Sequence, residues 1–143
     1  MNRKVFWSDI GLVPKIEMAN FDGTQRTALV NSDLDFPTGL AIDVLTDRLY
    51  WCDMKENEVE AILTNGSDRR VVLNSRMLSE DFSEPYSIDV FEDFLYIVTR
   101  KGVIVKWNKF GLGRPLKLFE ISVQLAHIRI YHKIRHAHSN GKE

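Results

Sequence analysis

The tetrad Phe6, Trp7, Ser8, Asp9 returns 44 residues later as Tyr50, Trp51, Cys52, Asp53, and Leu95, Tyr96, Ile97, Val98 form a weakened third copy. Each full copy is followed by a short mixed stretch, then a turn pair at Asp22, Gly23 or Asn65, Gly66, then an arginine-containing apolar run. Repeats of about 40–50 residues with four short strands each are the pattern of propeller blades, whose sheets bury both faces only against neighbouring blades. In such a chain function lies on a surface, not in a catalytic pocket.

Alternation and turn chemistry predict the strands. Residues 5–8, 15–20 and 26–30 form a first cycle, with a turn at Asp22 and Gly23. Pro37, Thr38 and Gly39 punctuate the chain ahead of residues 40–43, the innermost strand of the next blade. Residues 48–53, 58–63 and 69–73 continue that blade, placing Leu49, Trp51 and Asp53 on one face and Tyr50 and Cys52 on the other. The Asn65-Gly66 pair is that of a type I′ turn. A polar loop over 74–84 leads to a third cycle at 84–90, 94–99 and 103–106, with Lys101 and Gly102 as its turn. Residues 115–119 and 127–132 also read as strand. The blades fall near 5–38, 39–83 and 84–132 of a unit spanning 1–135, and 136–143 is a polar tail or linker. No stretch has useful helical periodicity, so the class is all-β.

With 143 residues, 44% of them hydrophobic, the chain has the length for one ordinary core. It has only about three of the usual 4–8 blades. A three-blade arc leaves two sheet faces uncovered, and exposed apolar surface on that scale marks an interface. The expectation is a piece of something larger. The sequence has no signal peptide and no run near the ~20 apolar residues of a membrane span. Cys52 is the one cysteine, which rules out an internal disulfide and reads as a packed thiol. Charge is lopsided: residues 1–99 carry 9 Lys+Arg against 18 Asp+Glu, and residues 100–143 carry 10 against 2. The basic residues Arg100, Lys101, Lys106, Lys109, Arg114 and Lys117 sit among strand-like residues without the stacking aromatics of a single-strand groove. They predict a solvated basic face open to anionic partners, with no nucleic acid.

The FWSD and YWCD tetrads, the spacing to Asp22-Gly23-Thr24 and Asn65-Gly66-Ser67, and FPTGLAID resemble the YWTD, or class B, repeats of low-density lipoprotein receptors. EPYSIDVFEDFLYIVT followed by WNKFG is similar to a late-ring blade of the related giant endocytic receptors, and IRIYH to the segment that ends their propellers before an EGF-like module. The resemblance covers roughly residues 5–135. It implies a six-bladed ring of which this chain is the C-terminal half, a partial YWTD β-propeller. It further implies extracellular ligand binding with acid-induced release in the endosomal lumen, as part of a membrane receptor. Partners are then protein ligands or neighbouring receptor modules, and calcium belongs to neighbouring modules, with no cofactor in this chain.

Under that resemblance Asp9 and Asp53 are strand-end groups that hydrogen-bond neighbouring backbones, Trp7 and Trp51 pack between blades, and Pro37 and Gly39 shape the blade entry. In the third copy the aspartate's position is Thr99 or its neighbour, a departure that weakens that blade's tie to the next. Asn65-Gly66-Ser67 is the single N-x-S sequon, a candidate glycosylation site on a turn. All four histidines, His127, His132, His136 and His138, fall in the last 17 residues. Histidine gains charge between neutral and endosomal pH, which makes His127 and His132 candidate pH sensors against the plainer reading of a solvated tail. A metal site from His132, His136 and His138 would need a helix or tight loop, and no carboxylate or thiolate accompanies them. No catalytic motif is present. Asp43 and Asp89, at inner-strand ends, could imitate the channel carboxylates of propeller hydrolases, but neither has a matching His or Glu. The sequence therefore predicts a non-catalytic protein-binding module. The alternatives are a truncated stand-alone product that pairs with a second copy to complete a ring or is non-functional and, below it, a propeller hydrolase.

Overall fold

A computed structural model describes residues 3–77, 82–122 and 126–132 of the chain. The described residues form three antiparallel sheets, each a meander of sequential hairpins. The first contains β1 (Lys4–Asp9), β2 (Lys15–Asn20) and β3 (Thr27–Val30). The second contains β4 (Pro37–Asp43), β5 (Arg48–Asp53), β6 (Glu58–Leu63) and β7 (Arg70–Asn74). The third contains β8 (Pro85–Phe91), β9 (Phe94–Thr99), β10 (Val103–Asn108) and β11 (Leu116–Glu120). A single 3₁₀ turn, Ser75–Met77, is the one helical element among the described residues. These are blades of a β-propeller, and the inner strands β4 and β8 run side by side where their sheets meet.

Period-2 alternation decides which way each residue points. Leu49 and Trp51 face the first blade and bury with Ile16, Val30 and Ile62. Tyr50 and Cys52, one position out of phase, face the third blade and bury with Val59, Ile88, Leu95, Ile97, Val105 and Trp107. Burial pushes the Cys52 thiol well above its ordinary range, so it stays protonated and inert. The core is thus two apolar seams between blades.

Gly39 explains how close the inner strands come. A Cβ at this position would stand 2.7 Å from the Ser87 Cα and 2.8 Å from the Tyr86 carbonyl oxygen, so any side chain would force β4 and β8 apart.

Several details depart from the sequence reading. The first sheet has three strands and no counterpart of β4 and β8. Pro37 and Thr38 lie inside β4, at a bulge opposite β5, instead of preceding it. The 74–84 connection is less polar than its composition suggests, because Phe82 is buried in the second seam. The Asn65-Gly66 turn is not type I′: Gly66 has φ +87° but Asn65 is not in the left-handed region. Leu63 accepts from the Gly66 N–H and donates to Ser67 O, which makes a type I turn closed by a glycine bulge. Residues 127–132 form no strand. They run beside β8, but the Ile128 and Ile130 N–H groups donate to Ser87 Oγ and Asp89 Oδ2 instead of to backbone carbonyls. Residues 136–143, and with them His136 and His138, lie outside the described residues.

Candidate functional site

Strands β1, β5 and β9 all end where β4 and β8 begin, and their convergence encloses a hollow of about 520 Å³. Its wall is largely apolar: Ile10, Phe36, Pro37, Gly39, Met54 and Tyr86, with Ser8, Thr38, Arg100 and His127 as its polar members. The blades are stitched together at this rim. Ser8 Oγ donates to the Thr38 carbonyl at 3.1 Å, and Thr38 Oγ1 to the Pro85 carbonyl at 3.4 Å.

Asp53 fixes the loop that forms one wall. It is fully buried, and its carboxylate accepts from the Asp35 N–H at 2.8 Å, the Phe36 N–H at 3.0 Å and the Glu56 N–H at 3.3 Å. The Met54 N–H donates to the Phe36 carbonyl beside it. In the third blade the same backbone bond recurs as Arg100 N–H to Glu84 O, but Thr99 has no carboxylate to offer. Thr99 Oγ1 instead accepts from Val103 N–H within its own hairpin. An ion pair, Arg100 NH2 to Glu84 Oε2 at 2.8 Å, spans the junction in its place. That pair leaves Arg100 Nε buried with no acceptor among the described residues. His127 stands across the hollow with its ring 5.5 Å from that of Tyr86, tilted by 53°.

The other candidates lie elsewhere. Asp9 is partly exposed, and its carboxylate accepts the Gly11 N–H within its own loop. Trp7 is half-buried and donates through Nε1 to Glu17 at 3.2 Å, while the Arg26 guanidinium stands 5.3 Å from its ring centroid. Arg26 holds the Glu17 carboxyl below the usual range by hydrogen bond and charge. His132 packs on Phe91, 4.8 Å between ring centroids and outside the hollow. Asn65 lies on an exposed turn at the far end of the blade.

Asp43 and Asp89 do not line the hollow. Asp43 is buried and ion-paired with Lys109 Nζ at 2.8 Å, and it accepts from Thr46 Oγ1 and the Leu45 N–H. Burial pushes its carboxyl up, and these three donors together bring it below its ordinary range. Asp89 accepts from the Val90 and Ile130 N–H groups. Among the described residues no group of three or more His, Cys, Asp or Glu side chains could hold a metal ion. Nor is any described helix long and apolar enough to cross a membrane.

The sequence reading placed Arg100 and Lys109 on a solvated basic face and missed Arg69; instead Lys109 is buried and paired with Asp43, and Arg100 lines the hollow. Arg69 binds Glu60 by a two-pronged ion pair and donates to the Ser32 and Asp33 carbonyls of the preceding loop, both at 2.7 Å. The signal was present, since Glu17 and Arg26 repeat as Glu60 and Arg69 with a shift of 43 residues.

Comparison with known proteins places this geometry. The model of the low-density lipoprotein receptor repeat class B matches residues 3–44. A vitellogenin receptor of Solenopsis invicta is 39% identical over 93 residues, 65% of this chain and 5% of that protein. Protein cueball of Drosophila sechellia is 37% identical over 102 residues, 68% of this chain and 15% of that protein. The chain thus spans a small part of the relatives it matches. Among solved structures, one from a nidogen/laminin complex superposes with a TM-score of 0.75 at 22% identity, covering 87% of this chain and 46% of that one. A gluconolactonase from Xanthomonas campestris superposes with a TM-score of 0.66 at 17% identity, over 87% and 46%. Both structural likenesses show the fold alone.

Proposed function

This chain is a run of low-density lipoprotein receptor class B (YWTD) repeats, and from that premise we propose that it is a protein-binding module of an extracellular receptor whose ligand seats in the hollow where the inner strands begin. The observation that carries the reading is Arg100: a guanidinium Nε buried without an acceptor at the edge of an apolar hollow. Pockets that recognise ligands combine an apolar wall with a few convergent polar groups, and an unpaired buried donor is costly until an acceptor reaches it. A ligand that inserts an apolar side chain between Phe36, Met54 and Tyr86 and offers a carbonyl or carboxylate to Arg100 satisfies both. His127 lines the same wall.

The test is direct binding of purified vitellogenin, the ligand named for one relative, to the immobilised chain at about pH 7 and about pH 5.5, the range over which histidine titrates. Arg100→Ala and Met54→Asp are each expected to weaken binding at least tenfold. Binding that survives both hollow variants, or no binding at either pH, overturns the reading.

A second reading, two copies completing a ring, is favoured by the open blade faces. The outer face of the first blade repeats the residues that the second blade buries, with Val5 and Trp7 in the places of Leu49 and Trp51. On the third blade Phe119 and Leu116 are exposed beside the half-buried Tyr96. Sedimentation equilibrium separates the readings: a dimer weakened by Val5→Asp supports association, and a monomer at all concentrations rejects it.

A further inference from the structure

Two turns share the same side-chain and backbone closure, one around an aspartate and one around an asparagine. In the first blade Asp22 Oδ1 accepts from the Thr24 N–H at 3.0 Å and from Thr24 Oγ1 at 2.6 Å. In the second, Asn65 Oδ1 accepts from the Ser67 N–H at 2.9 Å and from Ser67 Oγ at 2.7 Å. Both are closed by a left-handed glycine, Gly23 at φ +82° and Gly66 at φ +87°. The turn needs one side-chain oxygen, and Asp22 shows that a carboxylate supplies it. The amide nitrogen of Asn65 is therefore surplus to the fold: Nδ2 donates to nothing among the described residues and faces solvent on an exposed turn.

The surroundings leave room for a large substituent. Asn65, Gly66, Ser67 and Asp68 are all exposed, and the nearest atom to a Cβ built on Gly66 is Leu29 Cδ1 at 3.9 Å. The turn is nonetheless held in place. Arg48, itself buried, pairs with Asp68 and donates to its carbonyl, and the Thr64 N–H donates to Asp47 O. Strand β5 runs toward the hollow and β6 runs back, so this turn stands at the opposite end of the second blade.

We propose that Asn65 is an N-glycosylation site whose glycan covers the far end of the second blade and leaves the hollow free, an inference that rests on the extracellular reading above. Asn-Gly-Ser is an acceptor sequence, and proline does not occupy its middle position. In the transfer, Asn65 Nδ2 forms a bond to C1 of the first sugar of a lipid-linked pyrophosphate oligosaccharide. The bond from C1 to the pyrophosphate oxygen breaks, the pyrophosphate leaves with the electron pair, and Nδ2 gives up one proton.

The test uses the full 143-residue chain behind a cleavable signal sequence, translated with microsomes, so that lumenal access does not depend on where the chain natively resides. Protease protection marks the translocated fraction. The expected result is one mass increment, removed by an amide-cleaving glycosidase and absent from Asn65→Asp. Asp22→Asn, which converts the sister turn into the same sequon, is expected to add a second increment. A protected chain with no increment overturns the proposal, as does an increment that persists in Asn65→Asp. The unmodified Asn65→Asp chain is further expected to keep its urea midpoint, since Asp22 holds the same turn; a fall in midpoint would show that the Asn65 amide serves the fold. Loss of glycosylation leaves vitellogenin binding at the hollow untouched, so the two proposals fail separately.

Discussion

The first and second blades carry the same aromatic-Trp-x-Asp motif in matching places, yet their tryptophans live differently. Trp51 is 0% exposed, sandwiched in the seam with Ile16 and Val30, and its Nε1 has no acceptor among the described residues. Trp7, lacking a neighbouring sheet on its face, is half-buried and donates to Glu17. The carboxylates diverge in the same way: Asp53 gathers three backbone N–H groups, two of them from the loop that precedes its blade, whereas Asp9 accepts one from its own loop. A repeat motif therefore encodes a capacity, and the neighbouring blade decides whether it becomes core. The indole N–H left unpaired in the covered blade shows the order of magnitudes: burying an aromatic side chain contributes more than one hydrogen bond.

Paired substitutions break or sharpen this contrast. Trp51→Ala leaves a cavity in the first seam and is expected to cost about 3–5 kcal/mol, against about 1 kcal/mol for Trp7→Ala, read from urea midpoints at constant slope. Equal costs would mean that the open face is covered in solution. Asp53→Ala strands three N–H groups and should cost about 2–3 kcal/mol, while Asp9→Ala stays within about 0.5 kcal/mol.

The smallest effect concerns acid. Asp43 has its carboxyl lowered in the folded chain, so its contribution is present above the ordinary carboxylate range and is lost as pH falls through the folded value, below about pH 4. Glu58 is raised by burial and by the nearby Glu60, Glu56 and Asp53, so its contribution runs the other way and is lost as pH rises through its folded value. Glu58→Gln is expected to raise stability by about 0.3 kcal/mol near pH 7, the scale of an exposed charge interaction, and to gain nothing near pH 4. A gain that persists in acid would remove charge as the cause.

Much of the fold was legible because its signals are local. The alternation in YWCD assigns faces correctly, and the limits of β2, β5, β6 and β9 coincide with the sequence reading. The hollow was less legible. Arg100 and Glu84 meet across 16 residues and Lys109 and Asp43 across 66, distances over which no spacing rule relates one residue to another. Residues 127–132 carry strand-like composition, but their N–H groups find side-chain acceptors on β8, an outcome set by packing. Phe82 reads as part of a polar connection because its neighbours are polar, although a lone aromatic in such a stretch often plugs a core.

The sequential meander has a consequence for synthesis. Every strand pairs with its neighbour in the sequence, so each sheet can close soon after its last strand leaves the ribosome, with little loop entropy to overcome. The seams come later, because each needs a second finished sheet. During elongation the second blade therefore exposes Tyr50, Cys52 and Val59 until the third blade arrives. A nascent chain paused between residues 74 and 120 presents a bare apolar sheet, and it is there that chaperone capture or misassembly has its opening.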